Sequence, residues 1–184
     1  CCNGIVEQRL TTKFDLSPKW KAPVVSGGFE PSGTRSIYHD SNGDALLMDR
    51  YGARLLCRIE NTLWSGYGFG PQGKWLVTVS SKASLGDPLY DENICVDLWN
   101  AKDGQHVTQL ANKELRNWHF SPNGQYVITE DQDGEIKVYV AENGKSVLEI
   151  DAEEKQVVSD IDPASQWLIT YDPQGKIHFW NLNT

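Results

Sequence analysis

The stretch FSPNGQYVITEDQDGEIKVY, residues 120–139, decides the fold. Two runs rich in β-branched and aromatic residues flank a short turn that contains Asp133 and Gly134. Asp-Gly is typical of a tight β-hairpin, because both residues tolerate positive φ angles. The same acids could also be oxygen ligands in a calcium loop, but such a loop needs a bidentate carboxylate several residues later. The equivalent turn of the last copy, YDPQGK at 171–176, keeps the glycine and has only one acid, so the sequence predicts a hairpin without a metal.

The stretch is one copy of a repeat that covers most of the chain. Counterparts of its first five letters begin 40, 51 and 41 residues apart, at Phe29, Phe69, Phe120 and Ile161. Each is followed by a strand-like run, a turn and a second run, which ends on a large residue: Met48, Trp99, Tyr139 and Trp180. Further runs make each unit a four-stranded antiparallel meander. Because one meander cannot bury both of its faces, such units stack around an axis as propeller blades.

The units resemble the blades of WD-repeat proteins. The resemblance rests on the stretch above and on two third-strand ends, VDLWNAKDG at 96–104 and IHFWNLN at 177–183. It extends from about Val24 to Thr184 and implies an all-β propeller. No copy keeps the Trp-Asp pair, and the Gly-His signature is missing. We therefore expect the family's His–Ser–Trp–Asp hydrogen-bond network to be largely absent.

The predicted fold is an all-β propeller of about four four-stranded antiparallel blades, at residues 24–60, 64–111, 115–151 and 156–184. The last copy lacks its outer strand. In WD-repeat propellers an N-terminal strand commonly supplies it, and residues 6–16 have the required apolar–polar alternation. The propeller domain would then span 6–184, after a tether at 1–5. Because an open arc leaves bare sheet edges, we expect a closed ring, or four blades that pair with a second copy or a partner.

One copy departs from the repeat. Its second and third strands are separated by 11 extra residues around KASLGDPLYDE, residues 82–92. Loops held by a rigid scaffold often carry function, and aromatic anchors are typical of protein contacts. We therefore predict a partner-binding loop whose apolar and acidic contacts are Leu85, Asp87, Leu89, Tyr90, Asp91 and Glu92.

The sequence begins Cys1-Cys2 and has no initiator Met. Processed bacterial lipoproteins resemble this, because their signal peptide is removed just before a cysteine that becomes lipidated. Under this interpretation Cys1 carries acyl chains that anchor the protein durably. The predicted location is the bacterial envelope, at the periplasmic face of the outer membrane. In the alternative, Cys1 has no such role and the chain is a cytoplasmic regulatory fragment.

Other chemistry has little support in the sequence. A net charge of −8 and a pI near 4.9 argue against a nucleic-acid partner. The histidines fall on different strand types, which argues against a catalytic or metal site: His39, His106, His119 and His178. A ligand- or metal-binding channel would use polar residues of the first strands, but these are small or neutral: Ser26, Ser65, Asn117 and Ser159. Recurrent aromatic residues are expected to pack between blades: Trp75, Trp99, Tyr126, Tyr139, Trp167 and Trp180.

The leading hypothesis is therefore a non-enzymatic scaffold that binds other proteins and uses no cofactor. With Cys1 lipidated, it would be a membrane-anchored subunit of a larger envelope complex. The alternatives are the cytoplasmic regulatory fragment and a propeller that binds a small ligand or a metal.

Overall fold

The computed structural model describes residues 24–40, 42–49, 54–60, 62–81, 94–113 and 115–183. The first sheet contains β1 Val24–Phe29, β2 Arg35–Asp40, β3 Ala45–Asp49 and β4 Arg54–Ile59. The second contains β5 Thr62–Phe69, β6 Trp75–Ser81, β7 Ile94–Asn100 and β8 His106–Ala111. The third contains β9 Leu115–Phe120, β10 Tyr126–Asp131, β11 Ile136–Val140 and β12 Ser146–Ile150. After a 3-10 turn at Ala152–Glu154, the fourth contains β13 Val157–Ile161, β14 Trp167–Tyr171 and β15 Ile177–Asn181.

Each sheet is an antiparallel meander in which consecutive strands are neighbours, which confirms the predicted all-β, blade-like architecture. Three sheets have four strands, and the fourth has three within the described residues. The tether at 1–5 and the strand predicted at 6–16 lie outside those residues. No helix within the described ranges is long and apolar enough to cross a membrane.

Hydrogen bonds between turns align consecutive blades. The turns after each first strand meet in a row: the Arg35 guanidinium donates to the Gly73 carbonyl at 3.0 Å. The Gln72 amide donates to the Asn123 carbonyl at 3.0 Å, and the Asn123 N–H donates to the Ser165 hydroxyl at 3.2 Å. All four of these turns therefore lie on one edge of the molecule.

The core lies between blades rather than within one sheet. Three apolar clusters join the first blade to the second, the second to the third, and the third to the fourth. Leu47 and Leu76 belong to the first cluster, Leu98 and Val127 to the second, and Val138 and Leu168 to the third. All six are fully buried. Alternation along each strand sends successive side chains to opposite faces, so a central blade contributes to two clusters.

The described residues form an arc rather than a closed ring. The side of the fourth blade that points away from the third is exposed, and it carries Trp167, Tyr171, Ile177 and Phe179. A ring closed against the first blade would cover them. The expectation that Trp167 packs between blades is therefore wrong for this chain, whereas Trp75 and Tyr126 at the same repeat position are buried.

Candidate functional site: the acidic edge of the propeller

One edge of the arc is markedly acidic. In an antiparallel meander, the connections after the second and fourth strands lie at the opposite end from those after the first and third. In the described connections, this edge has eight acidic and three basic residues, against four and three at the other edge. We call it the acidic edge. Its acids are Asp44, Glu60, Asp133, Glu135, Asp151, Glu153, Glu154 and Asp172.

A recurring aspartate organises the hairpin turns of the acidic edge. In the third blade, one oxygen of Asp131 accepts hydrogen bonds from the N–H groups of Gly134 and Glu135, both at 2.9 Å. Asp40 and Asp172 occupy the same repeat position and accept two turn N–H groups each. Residues 130–135 thus include a hairpin turn organised by Asp131, which confirms the hairpin predicted from the opening stretch.

The second oxygen of each turn aspartate faces a basic side chain, and the basic residue differs in every blade. Asp40 lies 3.2 Å from the Arg58 guanidinium, Asp131 contacts the Lys113 ammonium, and Asp172 lies 3.3 Å from the His178 ring. Burial opposes ionisation of Asp131, but the Lys113 hydrogen bond and the turn N–H groups outweigh it and lower its pKa. Asp131 is therefore a charged structural acceptor at neutral pH.

The second blade differs at the same position. Ser80 replaces the aspartate, and the ladder between the second and third strands continues to the pair Ser81–Ile94. Residues 82–93 join Ser81 to Ile94 in the sequence, and this pair lies at the acidic edge. The predicted contact residues of this insertion lie outside the described residues: Leu85, Asp87, Leu89, Tyr90, Asp91 and Glu92. Their role stays a prediction, as does that of Cys1.

Part of the His–Ser–Trp–Asp type of hydrogen-bond network, which we expected to be largely absent, is present with threonine in place of serine. The Trp99 indole N–H donates to the Thr78 hydroxyl, and the Trp180 indole N–H donates to the Thr170 hydroxyl, both at 2.9 Å. In the third blade the Tyr139 hydroxyl instead donates to the Leu110 carbonyl of the preceding blade at 2.9 Å. The sequence contained the signal, because each of these second strands has a threonine two positions after a buried apolar residue: Leu76 and Thr78, Val127 and Thr129, and Leu168 and Thr170.

The histidines stay apart, as predicted. His39, His106, His119 and His178 lie on the second, fourth, first and third strands of different blades. His39 is fully buried against Tyr67, with ring centroids 5.6 Å apart. His106 instead lies 2.7 Å from Asp97 at the surface. Each histidine therefore has a local structural setting of its own.

The candidate residues for an axial channel all lie on first strands, and the side chains of Ser26 and Ser65 are outside the described part of the structure. Asn117 and Ser159 are exposed on the first strands of the third and fourth blades. In the described ranges, no group of three or more His, Cys, Asp or Glu side chains could hold a metal ion. What the described residues do show is an acidic edge built from the hairpin turns and the connections between blades.

The sequence itself has no match among models of protein families or among curated proteins. Solved structures resemble it in fold. The crystal structure of a eukaryotic initiation factor is 18% identical over 92% of this chain, with a TM-score of 0.62. The C-terminal WD40 domain of Sif2 is 16% identical over 89%, with a TM-score of 0.57.

A third similar structure is the β-propeller domain of Cps50 (Swd1) from Myceliophteria thermophila, 13% identical over 88% of this chain with a TM-score of 0.52. The chain spans about half the length of these structures, covering 47%, 44% and 54% of them in the order Sif2, initiation factor, Cps50. At such identities the likeness concerns the fold. The chain therefore has a WD40-like β-propeller fold.

Proposed function

We propose that this chain is a non-enzymatic scaffold that binds another protein at its acidic edge. The observation that carries the proposal is the insertion at residues 82–93, which leaves a fully paired hairpin end at Ser81–Ile94. A rigid ladder holds both ends of the insertion, and such support positions a binding loop at low entropic cost. The WD40-like fold agrees with this role, because propellers of this type commonly serve as protein platforms.

The charge of the acidic edge indicates the chemistry of the partner. Acidic residues outnumber basic residues in the connections of this edge. The insertion contributes three more acidic residues, Asp87, Asp91 and Glu92, and one basic residue, Lys82. Complementary charge steers association and excludes like-charged partners. We therefore propose a partner with a basic surface, whose apolar contacts would be made by Leu85, Leu89 and Tyr90.

The test replaces residues 82–93 by Asn-Gly, a two-residue turn that closes the hairpin beyond Ser81 and Ile94. Wild-type and shortened chains are used in parallel for affinity capture from the native cell. If the insertion binds a partner, one set of captured proteins should disappear with the shortened chain while circular dichroism and thermal stability stay the same. Identical captured sets from both chains would contradict a binding role for the insertion.

Two charge-reversal variants provide a matched control. Glu153→Lys with Glu154→Lys alters the acidic edge, whereas Asp103→Lys with Glu142→Lys alters the opposite edge, and all four residues are exposed. The first pair should weaken capture at least several-fold and reduce its salt dependence, because fewer screened attractions remain. An equal effect of the second pair would show that net charge, and not the acidic edge, matters.

Lipid anchoring through Cys1 in a bacterial envelope complex is a separate part of the proposal and rests on the sequence pattern alone. Intact-mass spectrometry of the protein from its native cell tests it. Added diacylglyceryl and acyl mass on Cys1 would support an envelope subunit. Residues upstream of Cys1, or an unmodified amine, would favour the cytoplasmic alternative.

A further inference from the structure

The outer face of the first blade, which points away from the second blade, is buried. The strand register puts Ser36 opposite Met48 and Tyr38 opposite Leu46 on this face. Ser36, Leu46 and Met48 are 2%, 4% and 7% exposed. Leu46 and Met48 nevertheless belong to none of the three apolar clusters that the described residues form between blades. Another part of the chain must therefore cover them.

The fourth blade is not this cover. If the first and fourth blades packed against each other, the outer faces of both would be buried. The outer face of the fourth blade has instead Trp167, Tyr171, Ile177 and Phe179 at 40%, 43%, 59% and 63% exposure. Leu46 and Met48 are therefore buried by something other than a closed ring.

The three existing interfaces show what a face that receives a preceding blade looks like. Each has a buried apolar residue, a threonine two positions later, an aromatic residue paired with the apolar one, and a polar residue two positions before the aromatic one. The three sets are Leu76, Thr78, Trp99 and Asp97; Val127, Thr129, Tyr139 and Lys137; and Leu168, Thr170, Trp180 and His178.

The outer face of the first blade departs from this pattern at all four positions. Ser36 replaces the apolar residue, Tyr38 the threonine, Met48 the aromatic residue and Leu46 the polar residue. The tryptophan–threonine hydrogen bond of the second and fourth blades therefore has no equivalent here. Ser36 leaves room for an inserted side chain, and methionine adapts to an irregular partner. Such a face suits a single apolar segment better than a sheet.

The sequence contains a segment of this kind shortly before β1. Residues 10–16, LTTKFDL, alternate with the period of an extended strand, which places two sets of side chains on opposite faces. A link at residues 17–23 joins this segment to Val24 and can span about 25 Å when extended. The mainly apolar set is Leu10, Thr12, Phe14 and Leu16, and the polar set is Thr11, Lys13 and Asp15.

We infer that residues 10–16 lie as an extended segment on the outer face of the first blade, with Phe14 and Leu16 packed on Leu46 and Met48. The segment would protect the end of the blade array, as terminal caps protect other repeat arrays. It would then not be the outer strand of the fourth blade, which is the place that the sequence pattern predicts. This inference concerns a different surface from the acidic edge and does not depend on the proposed scaffold function.

Photo-crosslinking tests this placement in the folded full chain. Replacement of Phe14 by p-benzoylphenylalanine keeps a large aromatic group at that position. Irradiation should attach it to the tryptic peptide of residues 36–50, which contains Leu46 and Met48. The same replacement at Lys13, on the opposite face of the segment, should give at most about a fifth of that yield. Mass spectrometry of the monomer measures both yields.

Oxidation of Met48 provides a second readout, because it is the only methionine of the chain. Hydrogen peroxide should convert it to the sulfoxide at least about ten times more slowly in the folded wild type than in urea. Phe14→Asp should raise the rate in the folded chain at least about fivefold, because an unpaired charge does not stay buried on an apolar face. Thr11→Asp adds the same charge on the opposite face of the segment and should leave the rate unchanged.

Two results would overturn the inference. The first is the absence of a crosslink from position 14 to residues 36–50 in the monomer. Attachment to residues 157–183 would then place the segment on the fourth blade, and a crosslink found only in covalent dimers would make a second copy the cover. The second is oxidation of Met48 at the wild-type rate in Phe14→Asp. A faster rate after replacement of residues 82–93 by Asn-Gly would then identify the insertion as the cover.

Discussion

The indole N–H of Trp180 donates a hydrogen bond to the Thr170 hydroxyl at 2.9 Å, and Thr170 itself donates to the Gln156 side-chain oxygen at 2.6 Å. Thr170 and Gln156 are buried between the third and fourth blades. In the second blade, Trp99 and Thr78 repeat the first of these bonds. The same pair of residue types therefore supports a three-membered network in one blade and a two-membered one in another.

Replacement of these threonines by valine should affect the two blades differently. Thr170→Val leaves the acceptor of Gln156 and the donor of Trp180 unpaired, and each unpaired buried group costs about 1–3 kcal/mol. Thr78→Val leaves only one group unpaired, the Trp99 indole N–H. Urea denaturation should show a loss of about 3 kcal/mol for Thr170→Val and about half of that for Thr78→Val. Equal losses would contradict the network assigned to Gln156.

Truncation to alanine usually destabilises a protein more when the side chain is larger, but for two apolar residues at the same repeat position we expect the opposite. Val138 is fully buried, whereas Phe179 at the same repeat position is 63% exposed. Val138→Ala should lower the free energy of unfolding by about 2 kcal/mol, because it creates a cavity. Phe179→Ala removes a larger side chain but should cost less than about 1 kcal/mol. A greater loss for Phe179→Ala would show that its ring is covered in solution.

Alanine substitution at two turn glycines should distinguish the cost of a strained backbone from the cost of a steric collision between blades. Gly144 has φ of 69°, and a Cβ there would lie 2.5 Å from the Thr108 Cβ of the preceding blade. Gly175 has φ of 81°, but a Cβ there would meet nothing within 4 Å. Alanine at either position costs about 1 kcal/mol for the left-handed backbone. Gly144→Ala should lower the melting temperature more than Gly175→Ala does, because only the new Cβ at position 144 would also collide with the preceding blade.

The buried ring of His39 should make stability depend on pH. Burial lowers the pKa of His39 below its usual value, although the neighbouring Asp40 carboxylate partly opposes this. The unfolded chain therefore binds a proton more readily than the folded one, so stability is complete above about pH 6.5 and falls as pH decreases below it. Within the described residues, neither ring nitrogen has a hydrogen-bond partner.

His39→Phe tests this dependence by removing the titrating group while keeping a ring against Tyr67. Melting temperatures between pH 7.5 and 5 should fall less steeply for the variant than for the wild type. Part of the slope should remain, because burial also lowers the pKa of His119, against the opposing effect of Asp160. Superimposable pH profiles would show that His39 is not protonated on unfolding in this range.

The repeat predicted the blades well because it reports backbone periodicity. Asp-Gly and Asn-Gly turns, alternating strands and the constant position of Trp99, Tyr139 and Trp180 all follow from one sheet geometry repeated along the chain. The two runs of the opening stretch pair as antiparallel strands, as predicted, with residues 126–130 opposite residues 136–140. Periodicity alone also placed the 11-residue excess between the correct strands.

The sequence could not show which blade faces are covered. Trp167 and Trp75 are identical in type and repeat position, and their burial differs because one has a neighbouring blade and the other has none among the described residues. The three turn aspartates were likewise recognisable, but their basic partners Arg58, Lys113 and His178 come from different strands and connections. Such contacts depend on three-dimensional placement and leave no fixed spacing in the sequence.

The apolar clusters between consecutive blades also have a consequence for how the chain unfolds. In a linear array, the stability of each unit is approximately its own stability plus those of its nearest-neighbour interfaces. Among the described residues, the fourth blade has one such interface, whereas the second and third have two. Local opening should therefore start at β13–β15 and spread towards the second blade, so amide hydrogens of Leu168 and Thr170 should exchange before those of Val127 and Val77.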